Sequence, residues 1–169
     1  MTSRRRGVGF RVSDDYVVKN PTADPSATEV VINVLYAAEL LAARMDRFLQ
    51  RHELSRGGFN LLQIVHGAPG PMSPTDIGER LLVTTATVTG VLDTLQRGNL
   101  ITRTPDAIDR RRVLIAITPA GIALLDEIGA ELIEREKVWC EPLTPVERER
   151  LTRDLGKIQA HLRSLPPEP

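Results

Sequence analysis

Two short helical segments, separated by about three residues and followed directly by a β-hairpin, constrain the fold of this chain more than any other feature. One segment covers residues 74–81 and opens with proline at the first helical position, and the other covers residues 85–97. After Asn99 the pattern changes to two β-branched runs, residues 100–104 and 113–118, which flank a polar tip. Helix, short turn, helix and hairpin in this order predict a winged helix-turn-helix.

The segments on either side complete the predicted architecture. Residues 26–52 and 55–66 carry apolar residues at helical spacing, and Ser26 is predicted to cap the first of these helices. A further helix runs from Thr118-Pro119 to about Cys140, and a last one is capped by Thr144. We therefore predict a mostly α-helical fold with a small β-hairpin wing, flanked by N- and C-terminal dimerisation helices. The predicted parts are a basic N-terminal arm (1–26), a first dimerisation helix (27–54), the winged helix-turn-helix DNA-binding domain (55–118) and C-terminal dimerisation helices (119–165).

The composition argues against several classes of protein. The single cysteine, Cys140, rules out an intramolecular disulfide framework and a cysteine-rich zinc site, and the three histidines lack the spacing of metal ligands. No apolar run approaches the roughly 20 residues that a membrane span needs, and no apolar signal region follows the charged N-terminus. Phosphate-binding glycine loops and nucleophile motifs are also missing. We expect a cytoplasmic protein that is not an enzyme, has no catalytic residues and needs neither cofactor nor metal.

The net charge is zero, but the charges are segregated along the chain. Between Arg97 and Arg112 there are five arginines against two aspartates, whereas residues 122–141 hold six acidic against two basic residues. A basic segment followed by an acidic one suits a protein with one face toward phosphates and another away from them. The arginines Arg4–Arg6 and Arg11 lie in the N-terminal arm, which is either a contact to the DNA backbone or a solvated, partly disordered terminus.

The helix over residues 85–97 carries small hydroxylated residues on the side away from its apolar stripe. Val88, Val91 or Leu92, and Leu95 recur at spacings of three and four, so they are expected to bury one face. Threonine lets a helix approach the floor of the major groove, donate to phosphates and pack its methyl group on thymine. We expect DNA contacts from the predicted N-cap and the exposed face: Thr84, Thr85, Thr87, Thr89 and Gly90. The alternative is an ordinary solvated helix surface.

The hairpin tip carries three consecutive arginines, Arg110, Arg111 and Arg112. Guanidinium groups on a protruding hairpin can enter a minor groove, and a solvated basic loop is the alternative. Asp109 is expected to orient a neighbouring arginine through a bidentate pair, and Arg103 is expected to contact the DNA backbone. These features predict double-stranded DNA as the partner. A winged-helix protein-interaction or dimerisation module without DNA binding is the alternative, and it would more readily expose apolar residues here.

Residues 72–121 resemble the MarR (multiple-antibiotic-resistance regulator) family. The resemblance rests on Asp109-Arg110-Arg111, the apolar strand that follows, and Thr118-Pro119-Ala120-Gly121. It implies a sequence-specific transcriptional regulator, a repressor that binds a pseudo-palindromic operator as a homodimer and is released by a small effector. It also implies Arg111 as the minor-groove arginine with Asp109 as its partner. The sequence departs from the family at Asn99, where relatives usually carry glycine, although asparagine tolerates the left-handed conformation.

The last helix carries a heptad seam that suits lengthwise packing against the first and fifth helices, either of its own chain or of a symmetry mate. The seam consists of Leu151, Leu155, Ile158, Leu162 and Leu165. A wholly intramolecular core is the alternative. The resemblance further implies a small aromatic or amphipathic effector between the dimerisation region and the DNA-binding lobe. The residues that could line such a pocket are Tyr36, Arg44 and His66, with His52 and Trp139 as further candidates; the alternative is that each lies at the edge of the core.

Overall fold

The computed structural model describes residues 9–81, 85–109 and 111–166, and within them it contains seven helices and one two-stranded antiparallel sheet. The elements are α1 (Asp14–Lys19), α2 (Pro25–Gln50), α3 (Arg56–His66), α4 (Pro74–Leu81), α5 (Thr85–Arg97), β1 (Ile101–Pro105), β2 (Val113–Ile117), α6 (Pro119–Trp139) and α7 (Pro145–Ser164). This order confirms the predicted mostly helical fold with a hairpin after the second short helix.

Part of the predicted arm is folded against α2. The side chain of Asn33 accepts from the Phe10 amide at 2.7 Å and donates to the Phe10 carbonyl at 2.9 Å. Arg11 forms an ion pair with Glu29, and α1 follows directly. The described part of the arm is therefore folded, because side chains of α2 satisfy its backbone groups. Arg4–Arg6 lie outside the described residues.

α2 begins with a different cap from the one predicted. Asp24, and not Ser26, is the N-cap, and its carboxylate accepts from the amides of Ser26 at 2.9 Å and Ala27 at 3.3 Å. Pro25 occupies the first helical position, where its missing N–H costs nothing. A carboxylate also complements the positive end of the helix dipole, so aspartate prevails over the neighbouring serine.

α2 is long and apolar enough, by length and composition, to cross a membrane, which the sequence prediction did not anticipate. This is weak evidence for a span, because the core helix of a soluble protein and an N-terminal signal sequence have the same length and composition. Within one copy, none of this apolar stretch is buried. Its exposed large side chains are Val30, Val31, Val34, Leu35, Tyr36, Leu40 and Leu41. Among the described residues, α2 buries only Phe48 and Leu49 at its C-terminal end.

The core lies among the C-terminal end of α2, α3, α4, α5, the hairpin and α6 as far as Leu132. Its fully buried members include Leu61, Leu62, Ile77, Leu92 and Ile115. The hairpin pairs Ile101 with Ile117 and Pro105 with Val113. Met72 forms two backbone hydrogen bonds with Ile115, of 2.9 and 2.8 Å, and these attach the segment before α4 to the edge of β2.

The exit from α5 and the entry to α6 meet at Asn99 and Thr118. Asn99 has a φ of 56°, the left-handed conformation predicted for it. Thr118 donates its hydroxyl to the Asn99 carbonyl at 2.7 Å and accepts from the Gly121 amide at 3.0 Å, which caps α6. Gly121 packs on the backbone of Leu100: a Cβ at position 121 would lie 2.3 Å from that carbonyl oxygen.

α7 projects with no buried residue of its own, although its predicted capping box of Thr144 and Glu147 is present. Leu151, Ile158, Leu162 and Leu165 of the heptad seam are exposed in one copy. A wholly intramolecular core for the seam is therefore wrong. An apolar stripe of this kind on a helix requires a partner surface to leave water.

Replacing Gly121 by alanine is expected to lower the free energy of unfolding by about 1–3 kcal/mol, because the new methyl group would overlap the Leu100 carbonyl. The measurement is urea unfolding at a fixed protein concentration. Gly129→Ala in the same helix is the matched control, because a Cβ there meets nothing within 4 Å. It is expected to stabilise α6 by about 0.5–1 kcal/mol. Equal effects of the two substitutions would contradict the close approach at Gly121.

Candidate nucleic-acid interface

α5 is anchored through one face, as its apolar spacing predicts. Val88, Leu92 and Leu95 are buried in the core, and Val91 is half-buried at its edge. Burying three aliphatic side chains fixes the rotation of a helix about its own axis, at roughly 1.5–3 kcal/mol for each. The residues on the remaining face are therefore held toward solvent in one orientation.

The exposed face of α5 carries small and hydroxylated residues in its N-terminal half, whereas Asp93, Gln96 and Arg97 are exposed in its C-terminal half. Thr87, Thr89 and Gly90 are exposed, and a Cβ built at Gly90 meets nothing within 4 Å. A flat surface of this kind allows the helix axis to approach another molecule closely. Thr85 begins the helix, and the position of its side chain is not part of the description; Thr84, the predicted N-cap, lies outside the described residues.

The hairpin tip is closed by its own hydrogen bonds. The Asp106 amide donates to the Arg112 carbonyl at 3.0 Å, and the Arg112 amide donates to the Asp109 carbonyl at 2.9 Å. The side chains of Arg111 and Arg112 are exposed, and Arg110 lies outside the described residues. The tip thus presents at least two guanidinium groups to solvent.

Asp109 does not make the expected bidentate pair with Arg111 or Arg112. Its carboxylate instead accepts from the backbone amide of Arg111 at 3.0 Å. An aspartate two residues before an amide readily closes a turn of this kind, and the local bond prevails over a side-chain pair. Asp109 shapes the tip, and the Arg111 guanidinium keeps its full donor set.

Arg103 connects the hairpin to α5. Its guanidinium forms an ion pair with Asp93 of α5, with 2.5 Å between Nη2 and Oδ1, and only 26% of the Arg103 side chain is exposed. The Nε atom of Arg103 is buried without a hydrogen-bond partner. The pair forms because the strand and the helix cross close together, and the expected contact of Arg103 with the DNA backbone stays a prediction. Sequence reasoning had no signal for this pair beyond the opposite charges.

The start of α4 carries a reciprocal cap that also faces the hairpin. The Ser73 hydroxyl accepts from the Asp76 amide at 3.2 Å and donates to the Asp76 carboxylate at 2.7 Å. The hydrogen bonds from Ser73, followed by the charges of Arg112 and Arg80, lower the pKa of Asp76. The Ser-Pro-Thr-Asp spacing was the available signal for this cap.

A cluster of charged groups connects α2 to α6. Arg51 donates to Glu131 at 2.8 Å, and His52, whose side chain is only 9% exposed, lies 3.7 Å from both Glu127 and Glu131. Burial raises the pKa of Glu131, but the bonds from Arg135 and Arg51 outweigh it and leave the pKa below its ordinary value. His52 thus belongs to the junction between the first helix and the helix that leaves the hairpin.

The three residues proposed for a ligand pocket are not brought together. Tyr36 is exposed on α2, Arg44 lines a depression beside Glu131, and His66 lines another beside Asp126. A cleft of about 530 Å³ lies instead among α2, α3 and the end of α6. Most of its lining is apolar: Ala38, Leu41, Ala42, Met45, Phe59, Trp139 and Cys140. Three polar side chains complete it: Arg56, Asn60 and Glu136.

Known proteins share this arrangement. The sequence model of the MarR family matches residues 54–113, which cover α3, α4, α5 and β1. The HTH-type transcriptional regulator PecS of Dickeya dadantii is 32% identical over 136 residues, which cover 79% of this chain and 82% of PecS. The S. aureus MepR–DNA complex has a TM-score of 0.66 and 25% identity, and covers 76% of this chain and 93% of the MepR chain.

A second solved structure concerns Bordetella bronchiseptica BpsR and the regulation of its DNA binding by 6-hydroxynicotinic acid. It has a TM-score of 0.68 and 26% identity, and covers 77% of this chain and 98% of that chain. The matches extend beyond the helix-turn-helix to most of the length of each relative, so they include the flanking helices. The chain belongs to the MarR family of HTH-type transcriptional regulators.

Proposed function

We propose that this protein is a homodimeric repressor that places α5 in the major groove of its operator and the hairpin tip in the adjacent minor groove. The observation that carries the proposal is the geometry of α5, which is buried through Val88, Leu92 and Leu95 and exposes threonine and glycine on its other side. The MarR family consists of transcriptional regulators and not enzymes. A protein that covers both grooves of a promoter blocks other proteins from the same DNA.

The two elements would divide the work of recognition. Thr85, Thr87 and Thr89 would contact base edges and thymine methyl groups, while the missing side chain of Gly90 allows close approach. Thr84, ahead of the helix, would bind a phosphate. Arg111 and Arg112, with Arg110 beside them, would enter the minor groove, whose negative potential is strongest where it is narrow. Exposed threonines on α5 and exposed arginines at the tip favour DNA over a protein-docking role, and Ile108 is an exposed aliphatic residue among them.

The apolar faces of α2 and α7 support the dimer. Both helices expose rows of large aliphatic side chains in one copy, and α7 buries none of its own. A two-fold axis that pairs these faces would remove them from water and set two copies of α5 about 34–36 Å apart, one helical turn of DNA. A second copy, and not a membrane, would then cover α2. The proposed compartment is the cytoplasm, where the regulated DNA lies.

The cleft among α2, α3 and α6 is the proposed effector site. The rings of Phe59 and Trp139 line it, and the Arg56 guanidinium lies at the same cleft. Arg56 binds Asp46 at 2.7 Å through Nε, which leaves its other donors available. This chemistry suits a small aromatic acid, whose ring packs between aromatic side chains and whose carboxylate binds arginine. The regulation of BpsR by 6-hydroxynicotinic acid supports this class.

Arg111→Ala is expected to weaken binding to the specific duplex about tenfold or more, because a guanidinium leaves the minor groove. The measurement is a gel shift with DNA from upstream of the protein's own gene, at several salt concentrations. The side chain is exposed, so the melting temperature and the dimer should be unchanged. Arg150→Ala on α7 is the control for loss of one exposed arginine. Unchanged affinity of the Arg111 variant at matched salt would contradict the wing assignment.

The Arg103–Asp93 pair is expected to act by holding the hairpin at a fixed distance from α5. Arg103→Ala and Asp93→Ala should each weaken specific DNA binding several-fold, and the double variant should bind no worse than either single one. A direct phosphate contact by Arg103 makes a different prediction: the salt dependence would fall by about one counterion for Arg103→Ala alone, and Asp93→Ala would not weaken binding. DNA titrations of the wild type, the two single variants and the double variant at several salt concentrations distinguish these two roles of Arg103.

The fluorescence of Trp139, the single tryptophan, is expected to report ligand binding in the cleft. Titration with 6-hydroxynicotinic acid and with benzoate should give a saturable change for at least one of them. Arg56→Gln should weaken that binding about tenfold, because a charge-assisted hydrogen bond is lost. The Asp46–Arg56 pair is exposed, so its loss should barely affect stability. Arg97→Gln, outside the cleft, is the control, and equal loss in both variants would contradict the proposed carboxylate contact.

A further inference from the structure

Ile108 is an aliphatic side chain at the outermost part of the hairpin tip. It is 97% exposed, and its neighbours Ala107 and Asp109 are exposed as well. The sequence resemblance to the family rests in part on Asp109-Arg110-Arg111 beside it and gives this position no role. Single exposed aliphatic residues are common on protein surfaces, so exposure alone assigns nothing. Two further observations indicate a role for Ile108: its position beside the arginines of the tip, and the hydrogen bonds that fix its backbone.

The backbone around Ile108 is fixed by side-chain hydrogen bonds. The Asp106 carboxylate accepts from the Ile108 amide at 2.8 Å and forms a longer contact of 3.5 Å with the Asp109 amide. The Asp109 carboxylate closes the next turn through the Arg111 amide at 3.0 Å. Hydrogen bonds of this kind fix the backbone at Ile108 and at Arg111, two exposed residues of the same tip. A surface that covers the whole tip meets both side chains.

The fold gains nothing from isoleucine at this position. A β-branched side chain is disfavoured in a tight polar turn, where glycine, asparagine and serine are usual. At 97% exposure it buries almost no apolar surface in the described protein. Ile108 stabilises something only when another surface covers it.

We propose that Ile108 is an apolar contact in the minor groove that selects against base pairs carrying an amino group there. The inference rests on the proposed function, since it assumes that the tip enters the groove with Arg111. A·T pairs present only acceptor atoms on the minor-groove floor, whereas G·C pairs add the guanine N2 amino group. An aliphatic side chain packs on the smooth A·T floor. It cannot accept a hydrogen bond from the amino group, which would be desolvated without a partner.

The test uses the full-length protein and an A·T-flanked duplex that it selects from a random library. 2,6-Diaminopurine replaces adenine one position at a time, which adds the minor-groove amino group and leaves the major-groove edge unchanged. The wild-type protein should lose about tenfold in affinity at the positions under the tip. Ile108→Ala should bind the unmodified duplex more weakly and lose most of this discrimination. Because Ile108 is exposed, the melting temperature should stay the same.

Two matched variants identify which side chain senses the amino group. Val113→Ala removes an exposed aliphatic group at the start of β2, next to the tip but not in it, and should keep the wild-type discrimination. If Arg111→Ala loses the discrimination while Ile108→Ala keeps it, groove width is read by the arginine and the proposal for Ile108 is wrong, although the wing contact stands. If neither Arg111→Ala nor Ile108→Ala changes affinity, the proposed wing contact itself fails.

Discussion

The apolar stripe of α5 is the constraint on which the proposed DNA-binding surface of this molecule depends. Val88, Leu92 and Leu95 share one core with Ile101 and Ile115 of the hairpin. Since both elements bury their inner faces in the same close-packed volume, neither can rotate without the other. The Arg103–Asp93 pair adds a polar connection outside that core. The threonine face and the arginine tip therefore behave as one rigid unit, which is the requirement for reading two neighbouring grooves at once.

The long helices outside this unit, α2 and α7, carry the apolar surfaces that one copy of the chain leaves uncovered. α2 and α7 leave most of their large aliphatic side chains exposed in one copy, and this is the surface that the proposed dimer would bury. The cleft lies where this dimerisation region meets the DNA-binding unit, and Phe59 belongs both to its wall and to the core. The charged groups around Glu131 span the same junction. A ligand that separates α2 from α3 would thus change the distance between the two copies of α5, with no change inside either DNA-binding unit.

Features set by neighbours in sequence were predictable, and features set by distant ones were not. Apolar spacing, the Thr118 and Thr144 caps and the left-handed Asn99 each depend on a few adjacent residues. The Asn33–Phe10 bonds join residues 23 positions apart, so the local sequence pattern could not predict that the arm folds against α2. The partner of Arg103 likewise depends on how a strand crosses a helix. Asp109 was predicted to bind a side chain because the competing backbone amide is invisible in a residue pattern.

Hydrogen bonds and ion pairs made by aspartates of α4, α5 and the hairpin explain how a chain of zero net charge can bind a polyanion. Four aspartates near the proposed DNA-binding surface are engaged: Asp93 binds Arg103, Asp76 binds Ser73, and Asp106 and Asp109 bind backbone amides of the tip. Their negative charges therefore point into the protein's own donors, while Arg111 and Arg112 remain exposed. The excess of acidic residues lies on α6, away from the hairpin tip. The local electrostatic field of a surface, and not the total charge of the protein, decides which face a phosphate backbone approaches.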